Sequence, residues 1–465
     1  MASSAIEDIW PLTPLQEGLL FHALYDESAV DVYNCQLVIG VRGPLDAATL
    51  RAAMEGLLRR HAILRVAFWH EDLDRPVQVV SKRASLPWRE IDLAGLVEAE
   101  RATALRDALA EDRLRRFDVT TPPLVRCTLI RTGAEEHRIV ITVHHLLMDG
   151  WSLPIMVAEL FALYRHAGDE RALEPVTSFR RFLSWLEEQD AAAGESAWRR
   201  ALSGLVDPAL VAPGRTHVPG TLPAQETFVV DESTVPALIE QARRIGVTLN
   251  TVVQGAWGVL LGILTDRKDV VFGTTVSVRP PEIPHIERLI GMLVNTVPVR
   301  VRWTSDDSWS TMLTRLQDER AELIPHQHLG LATIQRLAGS AELFDTAIVF
   351  ENAPGGDERS LDMPDKLSVF DISGQDATHY PLGLAVVPGS TVRLRLDYRP
   401  DVIDEEQARG IGACLVRLLE HAATDLHAPI GRAELVSVAE RGRLLVEFGD
   451  GGVVGGGGSV VGLFG

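Results

Sequence analysis

Two adjacent histidines, an aspartate and a glycine form the stretch of the sequence best suited to chemistry: His144, His145, Asp149 and Gly150. A neutral imidazole accepts a proton near pH 7, so a histidine here could act as a general base. The aspartate could orient an imidazole or hold the turn through an ion pair. Gly150 lets a reacting carbonyl come close to the backbone, where an N–H could stabilise developing negative charge.

A strand and a helix must position these four residues. Ile139, Ile141 and Val143 alternate with other residues, which predicts a half-buried strand that ends at the histidines. From 153 to 164 apolar residues recur at helical spacing, with Ser152 able to cap the helix and Pro154 acceptable in its first turn. The predicted layout is strand, tight turn and helix.

The pattern HHxxxDG resembles a motif of the condensation domains of non-ribosomal peptide synthetases, within the superfamily that is similar to chloramphenicol acetyltransferase. Five further stretches resemble motifs of this family, in its order and over roughly residues 8 to 445: PLTPLQEGLLFH (11–22), RHAILRVAF (60–68), SFRRFLSWL (178–186), IGMLVNTVPVR (290–300) and HQHLGLA (326–332). Val66 stands where threonine is usual, and the last stretch lacks the usual proline and acidic residues.

The resemblance implies an α/β fold of two chloramphenicol acetyltransferase-like lobes, arranged in a V with a substrate tunnel between them. The polar stretch 166–176 contains Gly and Pro and predicts the connection, so we expect an N-terminal lobe over 1–175 and a C-terminal lobe over 176–445. Residues 446–465 are mostly Gly and Val and predict a flexible linker or tail. In this family an adenylation domain follows, so we expect an excised domain.

The resemblance also implies peptide bond formation. The α-amine of an acceptor aminoacyl thioester attacks a donor aminoacyl or peptidyl thioester, both carried on phosphopantetheine arms. The expected partners are donor and acceptor peptidyl carrier proteins and an adjacent adenylation domain, and the domain itself is expected to bind no cofactor. His145 is the residue expected to act, either as a general base or as a group that positions the amine. Effective molarity from positioning two tethered substrates could supply much of the rate.

The other motif residues are expected to support His145. Because successive strand residues point to opposite faces, His144 is expected to be structural. For Asp149 we expect a structural salt bridge, and the superfamily suggests Arg279 as its partner, with Arg60 and Arg65 as alternatives. Val278 stands before Arg279 where the family usually has glycine.

Four residues are expected to line the tunnel: Trp151, Ser152, Asn352 and Tyr380. Each also suits a different position, since Asn352 could cap a turn and the other three could belong to the core. The remaining histidines and the three cysteines show no spacing that would indicate a metal site.

Related activities fit the sequence less well. Epimerisation domains share HHxxxDG, but the residues that usually follow differ from DGWSLP, and their downstream glutamate motif is not evident. A cyclisation domain would replace the histidines by an aspartate pattern, and a non-catalytic recruitment platform would usually have lost the His or the Asp. Within condensation domains, TPLQEGLLFH together with DGWSLP favours the subgroup that takes a D-configured donor.

The bulk composition excludes several partners. The formal net charge is −19 with no basic cluster, which argues against nucleic acid and anionic membranes. No apolar run approaches the length of a membrane span and no signal peptide opens the sequence, so we expect a cytoplasmic protein. At 465 residues, two domains or large lobes are expected.

Overall fold

The computed structural model describes residues 5–25, 30–214, 222–351 and 366–435, and the predicted tail over 446–465 lies outside them. In this part of the chain the strands are β1 Ile6–Pro11, β2 Asn34–Arg42, β3 Val66–Trp69, β4 Val77–Ser81, β5 Trp88–Asp92, β6 Val125–Arg131, β7 Glu136–His144, β8 Ala224–Val230, β9 Asp269–Ser277, β10 Val294–Arg302, β11 Thr346–Phe350, β12 Ser368–Gln375, β13 Leu382–Val387 and β14 Val392–Tyr398. The α-helices are α1 Pro14–Tyr25, α2 Ala47–Arg60, α3 Glu98–Leu114, α4 Ser152–Arg165, α5 Phe179–Glu187, α6 Ala191–Ala201, α7 Thr234–Arg244, α8 Leu249–Thr265, α9 Trp309–Leu323, α10 Leu331–Ala338 and α11 Glu405–Thr424.

The chain divides into two compact units whose segments interleave. Unit 1 comprises Met1–Gln189, Ser277–Asn295 and Ala353–Thr378, and unit 2 comprises Asp190–Val276, Thr296–Asn352 and His379–Gly465. The expected lobes were each continuous, with a boundary between 175 and 176. This division differs in two ways, because α5 belongs to unit 1 and two later segments return to it.

Unit 1 is built on a five-stranded sheet with the order β12-β2-β7-β6-β5, next to a three-stranded sheet with the order β1-β4-β3. In β7 the odd-numbered residues from Ile139 to Val143 enter the main hydrophobic core, whereas Val140 joins a smaller cluster with residues of α3. This is the period-2 alternation that the sequence predicted. Residues of the segment 277–295, including Ile290 and Leu293, complete the main core.

The strand, turn and helix predicted around the histidines are present as β7, the turn 145–151 and α4. β7 pairs antiparallel with β2 on one side and β6 on the other, and His144 lies opposite Asn34. Both neighbours fix the end of β7, so the position at which the turn begins is set by the central part of the sheet. The buried residues of α4, among them Met156 and Leu160, belong to the same core.

Unit 2 contains a six-stranded sheet with the order β10-β9-β11-β13-β14-β8. Its main hydrophobic core includes residues of α7, α8, α9 and α11, and a smaller cluster forms around Trp198 and Phe344. Among the described residues no single helix is long and apolar enough to cross a membrane. Only α7 and α8 taken together meet that criterion, and they meet at a 101° bend.

Candidate active site

His144 ends β7 and is completely buried on the face that also carries Val140 and Thr142. The backbone N–H of Leu146 donates to its Nδ1 (3.0 Å), so Nδ1 carries no proton. Nε2 therefore carries the proton and donates to Oδ2 of Asp31 (3.1 Å). Burial by itself raises the pKa of the Asp31 carboxyl, but the hydrogen bonds that it accepts from His144 and from the backbone N–H of Tyr33 hold the pKa below its usual value. Both ring nitrogens of His144 are thus occupied inside unit 1.

His145 lies just beyond the strand and is partly exposed. Its backbone N–H donates to the carbonyl of Tyr33 (2.9 Å), and its Nδ1 lies 2.9 Å from the carbonyl of Met148. A carbonyl only accepts, so Nδ1 carries the proton and Nε2 of the neutral ring has a lone pair. Within the described ranges no protein group is hydrogen-bonded to Nε2. The adjacent histidines hold opposite tautomers, and only His145 offers a nitrogen that can accept a proton.

Asp149 is buried, and its carboxylate accepts four hydrogen bonds. Oδ1 accepts from the backbone N–H of Ser152 (2.9 Å), from the Ser152 hydroxyl (2.7 Å) and from Nη2 of Arg279 (2.9 Å). Oδ2 accepts from the backbone N–H of Leu293 (3.0 Å). The expected salt-bridge partners are therefore in contact, and both side chains are at least nine-tenths buried. Asp149 holds the start of α4 against the segment 277–295.

The alternative arginines are paired elsewhere. Arg60 forms a salt bridge with Glu159 (2.9 Å), and Arg65 forms one with Glu7 (2.6 Å). Arg279 is held from a second side because its guanidinium carbon lies 5.1 Å from the centroid of the Trp151 ring. Asp149 and Arg279 thus form a discrete pair.

Gly150 is exposed, and its φ lies outside the left-handed region. A Cβ placed on it would meet nothing within 4 Å. Its backbone N–H has no acceptor among the residues that the structure describes. The packing of unit 1 therefore gives no reason for a glycine here, because the space at its Cβ position is open.

Trp151 borders a cleft of about 590 Å³ in unit 1, together with Arg279 and residues of the loop 281–287. The indole Nε1 donates to the carbonyl of Glu287 (2.9 Å), which fixes the ring against this loop. Trp151 is partly exposed, as a residue that lines a binding space must be.

Ser152 does not fit its expected position in the tunnel wall, because it is completely buried. Its hydroxyl contacts Asp149 and also the backbone carbonyl and N–H of Gly291, each at 3.1 Å. The expected capping role is also wrong: Ser152 is the first residue of α4 and Trp151 is the cap position, while the Ser152 N–H donates to the Asp149 carboxylate.

Of the two remaining expected tunnel residues, only Tyr380 is described by the structure, and it belongs to unit 2. Tyr380 is partly buried and packs on Phe344, with ring centroids 5.9 Å apart, and burial raises the pKa of its hydroxyl. Asn352 lies outside the described residues.

Asp31 and Tyr33 were not identified from the sequence, although each contacts one of the two histidines. Asp31 is buried just before β2, in a stretch without a charge pattern that would mark it. The one sequence signal for Asp31 was its position directly before β2, the strand that pairs with β7.

Comparisons with known proteins agree with the geometry. The sequence model of the condensation domain family matches residues 6–445. A linear gramicidin synthase subunit from Brevibacillus parabrevis is 31% identical over 459 residues, which cover 97% of this chain. The chain spans only 9% of the length of that relative.

Two solved structures share the fold. The first condensation domain of the calcium-dependent antibiotic synthetase, in complex with a substrate analogue, has a TM-score of 0.75 and 19% identity, covering 93% of this chain and all of that one. The X-domain in the complex with OxyB from teicoplanin biosynthesis has a TM-score of 0.79 and 24% identity, covering 94% of this chain and 98% of that one. Given this α/β fold, the ordered motifs and the match over residues 6–445, the chain belongs to the condensation domain family of non-ribosomal peptide synthetases.

Proposed function

We propose that this chain forms a peptide bond between two thioester substrates carried on phosphopantetheine arms. The acceptor's α-amine attacks the donor thioester carbonyl, the new C–N bond forms, and the C–S bond breaks. The products are an amide on the acceptor arm and a free thiol on the donor arm. Membership in the condensation domain family supports this reaction, and a similar protein is named as a linear gramicidin synthase subunit.

One observation carries the proposal: the hydrogen bond from Nδ1 of His145 to the Met148 carbonyl. It fixes the ring in the tautomer whose Nε2 accepts hydrogen bonds. An attacking amine loses one proton as the amide forms, and Nε2 is suited either to remove that proton or to orient the amine by accepting from its N–H. The released thiolate needs a proton, which the same nitrogen can return.

The surrounding residues have supporting roles in this scheme. The N–H of Gly150 has no acceptor within the described residues, and it can donate to the oxygen that becomes negatively charged when the thioester carbonyl is attacked. Asp149 accepts four hydrogen bonds, none of them from His145, so its role is to hold the turn. His144 is held by Asp31 and acts on the site only through the backbone.

The finer features are part of the same proposal. The partners are donor and acceptor peptidyl carrier proteins with an adjacent adenylation domain, and the phosphopantetheine belongs to the carriers. The V-shaped arrangement with a tunnel, the cytoplasmic location and the preference for a D-configured donor are predictions from the sequence and the resemblance.

A single-turnover assay tests this function. A donor dipeptide is loaded on one carrier and an aminoacyl group on a second, with D and L donors compared, and the amide is quantified after mixing with the domain. We expect wild-type protein to form amide and His145→Ala to be slower by roughly 10²- to 10⁴-fold, the usual contribution of a general acid–base group. His427→Ala is the control, because this histidine contacts a serine hydroxyl at the surface of unit 2.

A second candidate function is recruitment of a partner protein without catalysis. The observation that favours it is the fold shared with an X-domain that was solved in complex with OxyB. Binding of both loaded carriers with no amide from either donor would support this candidate and contradict peptide bond formation. The same assay tests for epimerisation if the donor carries deuterium at its α-carbon. Loss of deuterium to solvent without amide formation would indicate epimerisation.

A further inference from the structure

The backbone of Leu146, directly after His145, is held by two buried side chains. Its N–H donates to Nδ1 of His144 (3.0 Å), and its carbonyl accepts from Nε2 of Gln16 (2.8 Å). Leu146 lies beyond the end of β7, so no neighbouring strand supplies these partners. The two side chains replace the strand pairing that would otherwise fix this peptide.

The amide of Gln16 is fixed in one orientation. Its Oε1 accepts from the backbone N–H of Thr13 (2.9 Å), at the start of α1, so its Nε2 must face the other way. Nε2 then donates to the Leu146 carbonyl and to Oε1 of Gln78 (3.2 Å), and Gln78 in turn donates to the carbonyl of Pro11 (2.7 Å). Gln16 and Gln78 are both completely buried. If the Gln16 amide were reversed, its NH2 group would face the Thr13 N–H, which is also a donor. Its oxygen would then face the Leu146 carbonyl and Gln78 Oε1, which are both acceptors.

The short loop from His145 to Met148 is closed by the ring of His145 itself, through the Nδ1 bond to the Met148 carbonyl. Leu146 lies inside this loop, so the bond from Gln16 anchors it from outside. The backbone of His145 itself is anchored by the bond from its own N–H to the Tyr33 carbonyl (2.9 Å). Displacement of the Leu146 carbonyl would change the distance from Nδ1 to Met148, and with it the position of Nε2.

We propose that Gln16 is a positioning residue for His145, which acts by holding the Leu146 carbonyl and so keeps the ring in its Nδ1–H form. The proposal rests on the peptide-forming function described above. It assigns a task to the buried glutamine of the PLTPLQEGLLFH stretch, which the scheme for catalysis leaves unused.

The test combines the single-turnover assay with ¹⁵N NMR of labelled histidines, in the full chain. The His145 ring signals are assigned by their loss in His145→Ala. In Gln16→Met, a substitution of similar size, we expect the ring to populate both tautomers. We expect amide formation to slow by roughly a hundredfold, as a small misplacement of a catalytic group does. Gln16→Glu should show the same change, because its carboxylate faces two acceptor oxygens.

Gln254→Met is the matched control. Gln254 is also a completely buried glutamine, but it lies in α8 and donates to the Thr274 hydroxyl (3.1 Å) in unit 2. It should leave the rate and the His145 signals unchanged while lowering stability. If Gln16→Met does not fold, Gln16→Asn is used, since it keeps an amide but is too short to reach Leu146.

Wild-type rate and wild-type ring signals in the folded Gln16 variants would overturn the proposal, and so would an equal rate loss in Gln254→Met. The ring measurement also separates the two hypotheses. If wild-type protein forms no amide but the tautomer changes in Gln16→Met, the function fails and the positioning role holds.

Discussion

At the scale of single residues, the contrast between His144 and His145 depends on which backbone group each ring meets. A donating N–H from Leu146 faces Nδ1 of His144, whereas an accepting carbonyl from Met148 faces Nδ1 of His145. The two imidazoles are chemically identical in the sequence, so their opposite proton positions follow only from the fold of the turn.

Gly150 gives a test at this scale. Because a Cβ there meets no protein atom and φ is ordinary, Gly150→Ala should change the free energy of unfolding by no more than about 0.5 kcal/mol. If the substrate carbonyl approaches this backbone, the added methyl should slow single-turnover amide formation by roughly tenfold or more. Gly410→Ala is the control, since that glycine in α11 also has open space around its Cβ position. Equal rates for wild type and Gly150→Ala would remove Gly150 from the site.

Asp31 predicts a pH dependence of stability. Its pKa is lowered in the folded state, so near its ordinary value of 3.8 the unfolded chain binds more protons than the folded one. The stabilising contribution, on the order of 1 to 2 kcal/mol, is complete above this pH and is lost as pH falls through the folded pKa. Urea unfolding should show a constant advantage of wild type over Asp31→Asn from pH 7 to 5, which shrinks below pH 4.

The surface variant Glu195→Gln in α6 should follow wild type across the same pH series. An advantage over Asp31→Asn that persists unchanged to pH 3 would contradict an ionised Asp31 beside His144.

The site residues that could be proposed from the sequence were those with a recognisable pattern. HHxxxDG indicated His145, and the resemblance indicated the pair of Asp149 and Arg279, which the structure places 2.9 Å apart. The burial of Ser152 and the contact of Asp31 with His144 were not predictable, because they depend on which loop packs on which turn. Gln16 gave no signal of its own, since a buried amide is identified only by its partners.

At the scale of elements, the Asp149 carboxylate joins the first turn of α4 to the segment between β9 and β10. Asp149→Ala would leave the Arg279 guanidinium and the Leu293 N–H without their acceptor inside unit 1. We expect a loss of about 3 to 5 kcal/mol in the free energy of unfolding, enough to abolish soluble protein, measured by denaturant titration where protein is obtained.

Glu136→Gln is the comparison for Asp149→Ala, since it breaks an exposed salt bridge with Arg42. Its effect should stay within about 1 kcal/mol. A well-folded but inactive Asp149→Ala protein would count against a structural role for this carboxylate.

Elements with a clear period were predictable, and elements without one were not. β7 and α4 follow their apolar patterns. β12 was not predicted, because most residues of SVFDISGQ are exposed, so it has no regular apolar pattern, and it contains a glycine. β12 is a strand only because the edge of β2 is available to pair with it. That edge is supplied by residues far away in the sequence.

At the scale of the whole molecule, the division into two α/β units was expected, but the interleaving of their segments was not. The sequence suggested a boundary at the polar stretch 166–176, but this stretch lies inside unit 1 and the first boundary falls after Gln189. No local pattern reveals that residues 277–295 and 353–378 return to unit 1. Such returns are decided by tertiary packing, which composition and periodicity do not report.

The interleaving predicts how a fragment behaves. Residues 1–189 alone lack Ile290, Met292 and Leu293 of the unit 1 core and also the Arg279 partner of Asp149. We expect this fragment to unfold without a cooperative transition and to be digested rapidly by protease, whereas the full chain unfolds cooperatively. Thermal unfolding followed by circular dichroism measures the difference. A cooperative transition in the fragment, with a midpoint like that of the full chain, would contradict this role of the returning segments.

The same interleaving sets an order of events on the ribosome. Leu293 is 144 residues behind Asp149, so at cellular rates of synthesis its N–H emerges on the order of ten seconds later. β12 can pair with β2 only after still more of the chain has been synthesised, because Ser368 follows Arg42 by 326 residues. Until then the nascent chain keeps an unpaired strand edge, a surface that favours aggregation and that chaperones shield. The turn that carries His145 is therefore synthesised early, but its contacts with residues 277–295 form only late in biosynthesis.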